Sequence, residues 1–127
     1  MQILITGIPK AGKTFAADAM AVEMAAPVRH TDDLIGQLDW SAASAEVSTW
    51  LSEPGDWIVE GVSLPRALRK WLAANPTGKP CDRIVFMAAP RVELIPGQAS
   101  MAKGIWKVWN EIVPELTARC VEIEYRS

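Results

Sequence analysis

Two cysteines, Cys81 and Cys120, and one histidine, His30, are the only thiol and imidazole metal ligands in this chain of 127 residues. So small a set leaves little room for zinc or iron–sulfur chemistry, which draws on clusters of three or four such side chains. Nothing in it suggests an oxidising compartment either. Both thiols are expected to be buried near strand starts, and His30 to stand at a strand end, behind a functional group and not as a general base. An excess of charge of one sign is also missing: 13 Lys and Arg stand against 15 Asp and Glu, for a net charge of −2. A nonspecific nucleic-acid binder would need a basic face for its phosphate contacts. No apolar run approaches the length of a membrane span, and the start, Met1-Gln2-Ile3, reads as strand and not as a charged leader. The expectation is a cytoplasmic protein with no membrane partner, long enough for one compact domain and too short for two.

What the chain does have is apolar material, 50% of its residues, arranged as short hydrophobic runs alternating with helical patterns. That alternation is the signature of βαβ units and a parallel sheet. Strands are expected near 2–6, 27–31, 56–60, 83–88 and 120–125, with helices near 13–25, 42–52, 64–74 and 99–112. The third helix is the best patterned, with Leu64, Leu68, Trp71 and Leu72 on one stripe and Arg66, Arg69 and Lys70 off it. Ser63 is its expected N-cap, with Pro65 in the first turn. Residues 89–104 read as a loop, a candidate short lid, leading into a helix that Pro114 should stop. Trp106 and Trp109 are placed in the core in preference to stacking on a base.

One octapeptide carries most of the functional information. Gly7-Ile8-Pro9-Lys10-Ala11-Gly12-Lys13-Thr14 fits the phosphate-binding pattern G-x-x-x-x-G-K-[ST] and follows the strand-like run Gln2 to Thr6. Glycines in such a loop let successive backbone N–H groups turn inward round an anion, and the following helix presents its positive end to the same point. Lys13 is expected to reach the β- and γ-phosphates of a nucleotide, and Thr14 to ligate Mg²⁺ through its hydroxyl. An alanine-rich helix follows, as the motif requires.

Right-handed crossovers bring this loop and the carboxyl ends of all the strands to one edge of the sheet, where ligands of open α/β folds bind. Four further residues become candidates. Asp32 and Asp33 follow the second strand, where a carboxylate could accept a proton from an acceptor hydroxyl or hold Mg²⁺ through water; capping of a helix start is the competing use. Glu60 ends the buried run Trp57-Ile58-Val59 beside Gly61, where the acid of a Walker B element would stand in the Mg²⁺ shell. Arg66 lies in the first turn of the third helix, an unfavourable place for a cation unless it binds an anion. Arg91, with Gln98 and Lys103, could close over the phosphates. The remaining charges are segregated, seven acids and no base from Asp32 through Glu60, then four bases and no acid from Gly61 through Cys81; most read as solvated helix faces.

With the P-loop, the Thr31-Asp32-Asp33-Leu34-Ile35 turn and Val59-Glu60-Gly61 in hand, the chain resembles the P-loop kinases of small molecules. That superfamily includes adenylate-kinase-like nucleoside monophosphate kinases, shikimate kinase and gluconate kinase. The chain also looks like compact P-loop proteins encoded by bacteriophages. The resemblance implies a three-layer α-β-α P-loop NTPase fold with a five-stranded parallel sheet of order 2-3-1-4-5. It further implies ATP and Mg²⁺, and phosphoryl transfer to a small acceptor such as a nucleoside monophosphate or another small metabolite. Two departures stand out: the arginine-rich lid is reduced to Arg91, Lys103 and Arg119, and the acceptor-binding insertion to Gln37 through Trp50 or so. The alternative is a P-loop ATPase or nucleotide-sensing module that acts on a protein partner, with Glu60 orienting water. A P-loop fold that binds without catalysis also stays open, as does oligomerisation. A GTPase is disfavoured, because Asp33-Leu34-Ile35-Gly36 matches D-x-x-G but no N-K-x-D guanine signature exists.

Overall fold

The computed structural model describes residues 1–34 and 39–126. The first apolar run forms β1 (Gln2–Gly7), in which Ile3, Leu4 and Ile5 are buried on both sides. A strand with no wet face belongs at the middle of a covered parallel sheet, and β1 lies there. It is followed by α1 (Lys13–Met24), β2 (Val28–His30), a short 3-10 turn (Thr31–Leu34), α2 (Trp40–Trp50), β3 (Trp57–Glu60), α3 (Leu64–Ala74), β4 (Arg83–Met87), α4 (Pro96–Ala118) and β5 (Glu122–Arg126). All neighbours pair in parallel, in the order β2-β3-β1-β4-β5. This is the expected three-layer α/β fold and strand order.

Strand order dictates the layers. The connection through α1 runs from β1 outward to β2, whereas α2, α3 and α4 each lead the other way along the sheet. Right-handed crossovers therefore place α1 on one face and the other three helices on the opposite face. Packing agrees: Ile3, Ile5, Ile58, Val85 and Met87 meet Ala16 and Ala17 of α1. Leu4, Trp57, Val59, Ile84 and Phe86 meet Val47, Leu68, Trp109 and Leu116. The third helix keeps its expected stripe, with Leu64, Leu68, Trp71 and Leu72 buried and Arg66 and Arg69 exposed. Ser63 stands at its N-cap position, yet its side chain makes no capping bond. Asp39 does cap α2, accepting from the Ala42 N–H at 2.7 Å.

Three expectations are corrected. Pro114 does not stop the fourth helix, which starts at Pro96 and continues to Ala118. A proline releases the carbonyl four residues earlier, here that of Asn110; both residues are exposed, so water takes the freed group and the helix passes through. Cys120 is exposed while Cys81 is buried, because Cys120 sits in a left-handed turn, φ 66°, that ends α4 before β5 begins. The second strand is shorter than expected. Ile35, Gly36 and Gln37, part of the D-x-x-G match and of the reduced insertion, lie outside the described residues.

Trp109 is the largest wholly buried side chain. Its ring stacks on Phe86 with centroids 4.7 Å apart, Trp106 tilts against the same ring at 4.6 Å, and the indole N–H donates to the Tyr125 hydroxyl at 3.1 Å. Both tryptophans thus serve the core, as expected. Trp109→Ala should destabilise the protein by about 3–5 kcal/mol, the range for deleting a buried large aromatic, a sizeable share of the roughly 5–15 kcal/mol of a typical domain. A urea titration would show this as a lower midpoint at little-changed slope, whereas Trp109→Phe should recover most of it.

Candidate active site

The loop between β1 and α1 is held by its apolar residues and by β4. Ile8 and Ala11 are buried in the cluster beneath α1, which leaves Lys10 at the exposed tip in a left-handed conformation, φ 61°. Gly7 has no room for a side chain: at φ 141°, a Cβ would lie 2.2 Å from the Met87 carbonyl oxygen. That close approach lets the Ile8 N–H bond Met87 O at 3.2 Å. On the far side, the Arg91 N–H donates to the Lys10 carbonyl at 2.8 Å, and its guanidinium stem lies over Gly12. Arg91 therefore meets the loop by backbone as well as side chain.

Lys13 is only 8% exposed. Its Nζ donates to the Ile8 carbonyl at 2.6 Å, so the ammonium folds into the loop it belongs to. Burial lowers its pKa, against the opposing pull of Glu60 and Asp32, since an ammonium removed from water loses hydration that one carbonyl cannot replace. Thr14, one residue on, donates its hydroxyl to Glu60 Oε1 at 3.2 Å.

Glu60 is at the carboxyl end of β3 and is 2% exposed. Parallel register sets it beside Ile5 of β1 and His30 of β2, and His30 Nδ1 donates to Glu60 Oε1 at 2.6 Å. That bond raises the His30 pKa, outweighing the opposite effect of burial, with smaller upward contributions from the Glu60, Asp18 and Asp33 charges. The glycine beside Glu60 has a packing reason: a Cβ on Gly61, φ 150°, would lie 1.6 Å from Thr31 Oγ1. A glycine there lets β3 end against the turn after β2.

Pro9 to Thr14 of the loop line a cavity of about 540 Å³, with Phe15, Asp32, Glu60, Val62 and Met101 completing its walls; Gly7, Ile8 and Arg91 are not among the lining residues. Asp32 is brought to the cavity; Asp33, its neighbour in the 3-10 turn, is not among the lining residues. Arg66 is not brought there either. It lines an adjoining cavity of about 330 Å³ with Ser63, Ser100 and Gly104, and the two spaces share Val62 and Met101 as a common wall. Gln98 has another use: its side chain accepts the Ile95 N–H at 3.2 Å and caps the start of α4. Lys103 is exposed and lines neither cavity.

Sequence reasoning missed Phe15, Val62 and Met101 as lining residues and the bond between His30 and Glu60. The pairing could have been found by aligning the strand ends in parallel; nothing local marks Met101. Among the described residues, no group of three or more His, Cys, Asp or Glu side chains is placed to hold a metal ion. The Thr14 hydroxyl and the Glu60 carboxylate, 3.2 Å apart, do supply hard oxygen donors. That is the sparse protein contribution suited to a Mg²⁺ that keeps waters and phosphate oxygens as its other ligands.

Comparison with protein-family models and with curated proteins finds no match. Among solved structures, shikimate kinase from Aquifex aeolicus vf5 superposes with a TM-score of 0.60 at 12% identity, covering 98% of this chain and 84% of that one. Shikimate kinase from Bacteroides thetaiotaomicron gives a TM-score of 0.52 at 16% identity, over 97% of this chain and 85% of that one. At that level of identity the likeness is one of architecture: the chain has the fold of these P-loop small-molecule kinases.

Proposed function

We propose that this protein is an ATP-dependent, Mg²⁺-dependent phosphotransferase acting on a small acceptor. The observation that carries this reading is the pair of adjoining cavities, one lined by the P-loop with Lys13, Asp32 and Glu60, the other by Arg66, with Val62 and Met101 lining both. Adjoining sites for a donor and an acceptor are what the proximity demanded by phosphoryl transfer calls for. An ATPase driving a protein partner has no use for the second pocket.

In this reading the N–H groups of Gly7 to Thr14 receive the phosphates, and Lys13 exchanges the Ile8 carbonyl for the β- and γ-phosphate oxygens. Arg91, lying over Gly12, adds a second cation at the loop, and residues 89–95, the part of the expected lid that precedes α4, act as a short lid. Thr14 would hold Mg²⁺ directly and Glu60 through water, and the ion would supply charge neutralisation for the phosphates. Arg66 is exposed and donates no hydrogen bond and forms no ion pair among the described residues, so its guanidinium is available for an anionic group of the acceptor. Asp32 accepts the proton of the acceptor hydroxyl as that oxygen bonds to the γ-phosphorus and the bond to the bridging oxygen of ADP breaks.

ADP release measured across a panel of hydroxylated acceptors should rise with the correct one. Lys13→Met should abolish it, Asp32→Asn should lower kcat by about 10²–10⁴-fold, and Arg66→Ala should raise the acceptor KM by about 10–100-fold, the equivalent of a lost charge-assisted bond. ATP turnover indifferent to every acceptor would replace this reading with the ATPase. A pH profile of nucleotide affinity tests Lys13 separately. Its free-state pKa lies below 10.5, and phosphate charge must raise it on binding, so the protonated form binds. Affinity should therefore fall as pH rises through that lowered value, with proton uptake visible by calorimetry in buffers of different ionisation enthalpy. Lys13→Met should show neither effect.

A further inference from the structure

We propose that His30 is a positioning residue that fixes the Glu60 carboxylate for the magnesium–nucleotide complex, an inference that rests on the reading given above. Four side chains form a closed arrangement beneath the first turns of α1. Thr14 and Asp18 stand one helical turn apart on α1, a spacing that puts them on one face. His30 and Glu60 are register partners at the ends of β2 and β3. Thr14 reaches Glu60 Oε1 at 3.2 Å, His30 Nδ1 reaches the same oxygen at 2.6 Å, and the Asp18 carboxylate lies 3.6 Å from His30 Nε2. The imidazole is thus held by a bond at one nitrogen and a charge near the other.

A carboxylate this buried must have partners, and their distribution over its two oxygens is uneven. Both bonds go to Oε1. Lys13 directs its short bond to the Ile8 carbonyl. Among the described residues Oε2 takes no hydrogen bond, and Glu60 lines the P-loop cavity. With Oε1 fixed from two directions, Oε2 is the acceptor left for a metal-bound water. Thr14 cannot do this alone, because its hydroxyl is the expected metal ligand and leaves Glu60 when it turns to the ion. Among the described residues, His30 is then the one remaining anchor of Oε1. Outer partners of this kind commonly change metal affinity by about 10–100-fold when removed.

The test measures binding of a non-hydrolysable ATP analogue by calorimetry in Mg²⁺ and in EDTA, with melting temperature as a check on folding. Asn can place its amide nitrogen where Nδ1 stands; the longer Gln places its own nearer the position of Nε2. We expect His30→Asn to keep most of the tightening that Mg²⁺ produces, and His30→Gln and His30→Leu to lose about 10–100-fold of it at unchanged affinity in EDTA. Comparison of the two amides stands even if His30→Leu does not fold. Equal Mg²⁺ response in His30→Asn and His30→Gln, or full response in a folded His30→Leu, would overturn the positioning role and leave the kinase reading intact. Absence of any Mg²⁺ response in the unmodified protein would instead overturn the kinase reading and this inference with it.

Discussion

The geometry of the site depends on one topological constraint: β1 occupies the middle of the sheet while its crossover runs in the opposite direction from the other three. A reversal of this kind opens a crevice above the carboxyl ends of the strands. Here it separates α1 from α3 and α4 and leaves the loop from Gly7 to Thr14 between β3 on one side and β4 on the other. Each neighbour then contributes at close range. Met87 of β4 crowds Gly7 so tightly that only glycine fits, and Glu60 of β3 receives the hydroxyl of Thr14. The glycines at 7 and 61 are thus consequences of strand spacing as much as of phosphate chemistry.

The same constraint leaves one face of the sheet thinly covered. Among the described residues, α1 is the sole helix there, and it packs over β1, β2 and β3. Residues of β5 on that side alternate accordingly: Glu122, Glu124 and Arg126 share it with Arg83 of β4, while Ile123 and Tyr125 turn to the other face, where Tyr125 meets Phe86 and Trp109. Glu124 pairs with both Arg83 and Arg126. A parallel strand normally reads as continuous apolar sequence because both faces are covered; β5 alternates because one of its faces is wet. Charges along the outermost strand also discourage pairing with a second chain.

Legibility of the fold and site in the sequence follows from how far apart the relevant residues lie. The P-loop, its flanking strand and the stripe of α3 are contiguous or periodic, and the strand order followed from the resemblance to P-loop kinases. Properties set by distant neighbours were hidden. Whether Asp32 or Asp33 faces the cavity depends on the phase of a single 3-10 turn, which no periodicity in four residues can fix. Cys120 looked like a buried strand residue because its left-handed turn is imposed by the end of α4. Pro114 looked like a helix stop because its tolerance depends on Asn110 facing water. The bond between His30 and Glu60 required knowing that two strands 30 residues apart end side by side.

This division explains why the P-loop cavity can be read from eight consecutive residues while the cavity beside it cannot. The second cavity is assembled from the start of α3 and the start of α4, brought together across the wall of Val62 and Met101. Its electrostatics differ from those of the first. Around the P-loop cavity the cations of the loop are balanced by Asp32 and Glu60. In the second space Arg66 is the one charged lining residue among the described residues, and the N–H groups of α3 lack a side-chain cap, so a helix dipole and a guanidinium act in the same sense there. Two positive contributions with no lining acid make that pocket favour a negative group. Its other walls, Pro65, Ile105 and Val108 among them, present apolar surface. That lining is complementary to a molecule with negative charge at one end and hydrocarbon along the rest.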